Sequence, residues 1–289
     1  MKRQYASANA FRVALEERLK NISKKQGTDI QRLRRQVTFD RLLCRLFETY
    51  PNNLFLKGGY SMELRIQMAR TTKDIDMVLR KKQIKDHETQ DQEILDILQQ
   101  AARKDLGDFF TFLVGAPTAD LEAVPYGGSR FPIEAHMDGR LFVRFPIDVV
   151  VSSLILDPVE QLESRDWLDF AGIETMPFAT ISPEQQFAEK FHAYTLPRDG
   201  DENSRVKDVV DMLLLIRAGK FKTDILKTAI REVFEYRRTH LEPDSIYKPP
   251  PSWEPVFNRF ARECNINTVL YDAMSEIASY IHLPLIYEQ

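Results

Sequence analysis

The chain has 289 residues, 43% of them hydrophobic and 29% charged, with a formal net charge of −3. That length allows one large domain or two, and that composition is globular rather than disordered. The slightly acidic balance excludes a strongly basic, whole-surface nucleic-acid footprint, so any polynucleotide contact depends on local patches.

The first fifty residues read as two helices. Phe11, Ala14, Leu15, Leu19 and Ile22 follow the helical period, and K-K-Q-G (24–27) ends the first segment. Thr28 or Asp29 caps a second helix carrying Ile30, Leu33, Val37, Leu42, Leu46 and Phe47. The second helix also bears Arg32, Arg34, Arg35, Arg41 and Arg45. These are either a solvated face or a basic strip for RNA phosphates.

Pro51 breaks that helix. A short strand at 54–56, a short helix at 61–68, a strand at 74–79 and a helix at 84–106 follow. Strands at 130–136 and 140–151 flank Asp138-Gly139, a two-residue hairpin signal. From Ser182 the pattern is helical. Ser182-Pro183-Glu184-Gln185 is a capping box with proline at the first helical position. Residues 196–204 read as a polar, mobile loop. Helices are expected at 205–217, 224–237, 253–264 and 268–281, with a proline-rich connector before the third. Helices, then mixed elements, then helices predict an α+β domain over 1–180 and a helical C-terminal domain over 181–289.

The two cysteines, Cys44 and Cys264, have no metal or redox spacing and sit among apolar residues, so they read as buried thiols. No leader-like or membrane-spanning run is evident, and a cytoplasmic location is expected.

Five features carry possible chemistry. Asp74 and Asp76 share one face of a strand. Two such carboxylates repel unless a cation lies between them, and hard oxygen ligands suit Mg²⁺ or Mn²⁺. Gly58-Gly59 is a turn just ahead of the short helix that Tyr60-Ser61 starts. This is either a plain strand–helix turn or a cradle for a triphosphate. Asp148 lies near the end of an apolar strand, where an acid must be paired or coordinating. Three acids converge if that strand lies beside 74–79, and three acids suit two-ion phosphoryl chemistry. Lys190 borders the Phe187, Phe191 and Tyr194 stripe, where it either snorkels or neutralises phosphate. His192 falls off that stripe and reads as structural or solvent-facing. Asp208 needs a cation partner, with Lys190, Arg205 or a nucleotide-bound metal as candidates. Arg205 and Lys207 are candidate phosphate contacts.

In order along the chain, G-G-Y-S-M-E-L-R…R-T-T-K-D-I-D-M, Y-G-G-S-R-F-P-I-E-A-H-M-D-G-R-L-F-V-R-F-P-I-D-V, A-E-K-F-H-A-Y-T and N-S-R-V-K-D-V-V-D-M resemble the AbiEii/AbiGii toxin family. That family lies within the DNA polymerase β-like nucleotidyltransferases and is related to the MenT toxins. The resemblance implies a polymerase β-like domain with a mixed sheet, followed by a helical domain. It also implies a toxin encoded with a cognate antitoxin, which uses Mg²⁺ and NTP to add nucleotides to RNA at the tRNA 3′ end and so blocks translation. Gly58, Gly59, Asp74 and Asp76 match the family's glycine–acid motif, Lys190 its lysine, Asp208 its later acid, and Asp148 the strand acid of close relatives. The chain departs at Gly59-Tyr60, where Ser or Thr is usual, which leaves Ser61 one step away. The other readings are nucleotidylation of a protein or small molecule, and a nucleotide-binding regulator without catalysis.

Overall fold

The computed structural model describes residues 5–80, 87–121, 127–152, 154–197, 205–219 and 221–286. Most of the loop expected at 196–204, and the start of the helix expected from 84, lie outside these residues. The chain divides into two units. The first comprises Met1–Leu64, Thr71–Ser153 and Gln161–Thr180, and the second Arg65–Arg70, Leu154–Glu160 and Ile181–Gln289.

Helices α1 (Ala8–Gln26) and α2 (Ile30–Thr49) open the first unit. Ser7 caps α1, Gly27 ends it in the left-handed region at φ 66°, and Asp29 caps α2 through the Gln31 N–H. Next come β1 (Leu54–Lys57), α3 (Gly58–Arg65), β2 (Ile75–Arg80) and α4 (His87–Ala102). Strands β3 (Phe110–Val114), β4 (Ala119–Asp120), β5 (Gly128–Met137), β6 (Arg140–Ser152), β7 (Glu160–Glu163) and β8 (Pro177–Thr180) follow.

The sheet runs β3-β5-β6-β2-β1-β8-β7, with β4 also on β5. It is mixed: β1 is antiparallel to β2 and parallel to β8, and β2 is parallel to β6. The β5–β6 hairpin turns at Asp138 and Gly139, both at positive φ (56° and 66°), as a two-residue hairpin demands. Val149, Val150 and Val151 are buried on β6, which lies between β5 and β2. Phe39 of α2 packs on Phe145 and Tyr60, with ring centroids 4.7 and 5.0 Å away, and seals one face of the sheet.

Four of the five arginines of α2 are paired within the fold rather than left as a solvated face or a strip for phosphates. Arg45 is fully buried and forks onto both Asp108 oxygens (2.9 and 2.7 Å), while Arg41 Nε donates to Asp108 Oδ2 at 2.7 Å. Arg32 pairs with Glu63, and Arg34 with Glu16. The helical period could not register these partners, since Asp108 arrives from a loop more than sixty residues away. Burial alone would raise the Asp108 carboxyl, but Arg45 and Arg41 outweigh it and hold it below the usual carboxylate range.

The second unit is built from helices α5 (Pro183–Thr195), α6 (Val206–Arg217), α7 (Thr223–Arg237), α8 (Glu254–Glu263) and α9 (Leu270–Tyr280). A two-stranded pair of β9 (Ile246–Tyr247) and β10 (Leu285–Ile286) completes it. Ser182 caps α5 through the Gln185 N–H with Pro183 in the first turn, as its sequence predicts. His192 is buried, and its Nε2 is 2.9 Å from Thr239 Oγ1, so it is structural rather than solvent-facing. Burial pushes its imidazole down to about 3. Both cysteines are buried and free. Among the described residues no helix is long and apolar enough to cross a membrane.

Asp108→Asn leaves two buried guanidinium groups short of charge and is expected to cost about 3–5 kcal/mol at neutral pH. Because the native carboxyl is held low, its contribution is present above about pH 4 and is lost as pH falls through the native value. Urea midpoints of wild type and variant across pH check this. They should differ most at neutral pH and converge on acidification.

Candidate active site

The parallel pairing of β2 with β6 sets Asp76 directly opposite Asp148. On the outer side of β6, antiparallel β5 sets Arg130 opposite Asp148, and on the outer side of β2, β1 sets Lys57 opposite Asp76. Directly opposed residues on neighbouring strands share a face. One face of the sheet therefore carries a row of four charges, Lys57–Asp76–Asp148–Arg130. Arg130 forks onto Asp148, with Nε to Oδ1 and Nη2 to Oδ2 both at 2.7 Å, and its Nη2 lies 3.8 Å from Asp74 Oδ2.

Asp74 precedes β2 and joins the same cluster. Burial, followed by the Asp74 charge, pushes Asp76 up to about 6; Lys57 pulls it back, and Asp148 adds to the rise. Crowded, partly buried carboxylates of this kind call for a cation.

The Gly58-Gly59 turn closes against these acids. Gly58 has φ +65°, and a Cβ there would sit 1.9 Å from Asp76 Oδ2. A Cβ on Gly59 would sit 2.5 Å from Thr72 Oγ1. The glycines are thus required by side chains already present, and the turn in return gives Asp76 Oδ2 the Gly59 N–H at 3.3 Å. Ser61 is fully buried, and its hydroxyl donates to the Gly58 carbonyl at 3.0 Å.

A second layer holds these groups from behind. Glu63 Oε1 accepts the Thr72 N–H at 2.6 Å, and Thr72 Oγ1 donates to Asp74 Oδ1 at 2.6 Å. Glu63 Oε2 accepts from Arg32 and Gln36. Tyr60 donates to Asp40 at 2.6 Å, and Asp40 also accepts from Trp167 and the Arg165 N–H. Burial lifts the Asp40 carboxyl to about 6 despite these donors. Glu63, Thr72, Arg130 and Asp40 were not singled out from sequence. Only E-L-R after the glycines and T-T-K before the acids hinted at Glu63 and Thr72.

In the second unit, Lys190 Nζ donates to Asp211 Oδ2 at 2.6 Å and to Asp208 Oδ1 at 3.3 Å. Arg70 forks onto Asp211 at 3.0 and 2.7 Å, and Arg205 reaches Asp208 at 3.5 Å. Burial would lower the Lys190 ammonium, but Asp211 and Asp208 outweigh it and hold it above its usual range. Asp211 is therefore the closer partner, and Asp208 the more distant one. Their i, i+3 spacing on α6 put both acids on one side of the helix. Lys207 is exposed.

The residues fit a hard divalent cation in part. Asp74 and Asp76 supply carboxylate oxygens, but both Asp148 oxygens are taken by Arg130. Among the described residues no group of three acids, histidines or cysteines is spaced to hold a metal ion.

A family model described as the nucleotidyl transferase AbiEii toxin, type IV toxin–antitoxin system, matches residues 41–275. The fold is similar to MenT4, a nucleotidyltransferase toxin from Mycobacterium tuberculosis H37Rv. That similarity has a TM-score of 0.54 at 15% identity and covers 91% of this chain and 98% of that one. JHP933 from Helicobacter pylori matches with a TM-score of 0.46 at 13% identity, over 88% of this chain and 92% of that one. No curated protein matches by sequence.

Gly27 and Gly58 share a left-handed backbone, but a Cβ on Gly27 meets nothing within 4 Å. Gly27→Ala is expected to cost only the backbone strain, about 1–2 kcal/mol. Gly58→Ala should cost more, by the displacement of Asp76. Paired denaturation midpoints test this, and equal costs would mean that the turn does not bear on the acid.

Proposed function

The chain belongs to the AbiEii nucleotidyl transferase toxin family of type IV toxin–antitoxin systems. From that premise we propose that it moves a nucleoside monophosphate from NTP to RNA, at the 3′ end of tRNA, and so blocks translation. It is a nucleotidyltransferase by family, and the family implies a cognate antitoxin. The observation that supports nucleotidyl transfer at this site is the register that sets Asp76 against Asp148 with Asp74 beside them, while the RNA acceptor rests on the family resemblance.

In this reading Asp74 and Asp76, with Asp148 as a third carboxylate, would hold Mg²⁺ or Mn²⁺. A bound divalent ion would supply charge neutralisation at the triphosphate and a lowered pKa at the acceptor hydroxyl. The Gly58-Gly59 turn lets main-chain N–H groups approach phosphate at the start of α3. Lys190, with Asp208 and Asp211 fixing its ammonium, together with Arg205 and Lys207, is assigned to the phosphates. Ser61 contributes through the Gly58 carbonyl it holds. The 3′-hydroxyl oxygen attacks the α-phosphorus, its proton passes to a carboxylate of the cluster, and the bond to the bridging oxygen of pyrophosphate breaks. Arg32, Arg34, Arg41 and Arg45 are engaged within the fold and are not assigned to RNA. The location inside the cell is taken to be cytoplasmic, where tRNA and NTP are found.

Labelled NTPs, offered one at a time with divalent metal and total tRNA, test this reading. Label is expected on RNA from at least one NTP, with a loss of at least about a hundredfold in Asp76→Ala, the scale of removing a principal transition-state contact. Label that travels with protein and resists ribonuclease would move the acceptor to a protein. No transfer with nucleotide still bound would favour a regulator.

A further inference from the structure

The first unit holds a cavity of about 600 Å³, within the range of roughly 300–1,000 Å³ typical of small-molecule sites. The segment just before β8 (171–176) lines it, together with α2, the loop before β3, and Tyr5 and Phe11. Strand β8 runs parallel to β1 with Thr180 opposite Leu56, so the start of β8 lies away from the Gly58-Gly59 turn that follows β1. No residue of the acid row lines the cavity.

Its walls are fixed before any ligand arrives. Arg41 is held by Asp108 and donates to the Glu174 carbonyl at 3.3 Å. Asp108 Oδ1 also accepts the Phe110 N–H at 3.1 Å, which pins the loop carrying Phe109. Phe109 sits at φ 60°, a strained backbone for a bulky residue, and such strain persists only where the surroundings enforce it. There its ring meets Phe11 at a centroid distance of 5.2 Å, and Tyr5 meets Phe11 edge-on at 5.5 Å. A group of aromatic rings of this kind favours a weakly hydrated cation. The charges of the lining agree. Arg41 is answered by Asp108, and Glu48 by Lys104 at 2.9 Å. Glu174 is exposed, and its carboxylate has no partner among the described residues. Burial pushes the Cys44 thiol, also in the lining, up to about 11, so the cavity offers no thiolate and is built for binding rather than chemistry.

We propose that this cavity binds a small organic cation, an ammonium on an apolar ring, with its charge held between the rings of Tyr5, Phe11 and Phe109 and the Glu174 carboxylate. The site is independent of the nucleotide reading and of any metal.

Benzyltrimethylammonium is the probe and benzyl alcohol its uncharged counterpart, both titrated into the full chain labelled at the methionine methyl carbons. The probe should shift the methyl resonance of Met176, which lines the cavity and is assigned through Met176→Leu, and leave Met212 and Met274 of the second unit in place. The cation should bind at least about tenfold tighter than the alcohol, the scale of a desolvated cation–aromatic contact. Phe109→Leu should weaken the cation by about tenfold, and Glu174→Gln by about threefold, the scale of an exposed ion pair. Tyr5→Leu takes the place of Phe109→Leu if that variant does not fold. An unmoved Met176 resonance at about 10 mM probe, where even millimolar binding would show, overturns the proposal. So do equal affinities for cation and alcohol, or an affinity for the cation that neither variant changes.

Discussion

Parallel pairing of β2 with β6 forces Asp76 and Asp148 side by side on one face of a sheet whose other buried side chains are mostly apolar. Like charges at that spacing are unfavourable, more so where burial has already lifted Asp76 to about 6. The register cannot relax to avoid this, because a one-residue slip would turn Ile75, Met77 and Leu79 away from the core. The repulsion is managed by local cations instead. Arg130 closes the row at one end and Lys57 at the other. A sheet with two strand positions given to acids and two to their counter-ions is arranged around charge, and the proposed phosphate chemistry is a use that such an arrangement could serve.

The same constraint explains the glycines. Gly58 lacks a side chain because Asp76 occupies the space, and Gly59 because Thr72 does. Thr72 in turn ties Asp74 to Glu63, and Glu63 is anchored on α2 through Arg32 and Gln36. Helix α2 is thus the support of the site. Asp108, between Arg41 and Arg45, anchors the same helix further along.

Local patterning carried much of this into the sequence. The caps at Asp29 and Ser182 and the Asp138-Gly139 turn are short-range signals, and each is realised, whereas Asp74, expected inside the strand with Asp76, falls just before β2. What failed were the pairings that depend on register. The arginines of α2 have the spacing of an exposed face, and only the distant Asp108 and Glu63 reveal them as internal. Arg130 is an ordinary strand residue until β5 is laid against β6. Strands of two to four residues, such as β4, β7 and β8, are too short for a period to show. Asp211 was within reach, as an acid inside V-V-D-M-L-L-L needs a cation partner as much as Asp208 does.

In the proposed function, the Asp74–Asp76 pair and the Gly58-Gly59 turn form one metal–triphosphate site. Anomalous diffraction from crystals grown with Mn²⁺ and a non-hydrolysable NTP tests it most directly. A manganese peak within about 2.3 Å of oxygens from both Asp74 and Asp76, with the triphosphate against the turn, is expected. Manganese bound elsewhere, or a triphosphate lying away from Gly58 and Gly59, would contradict it.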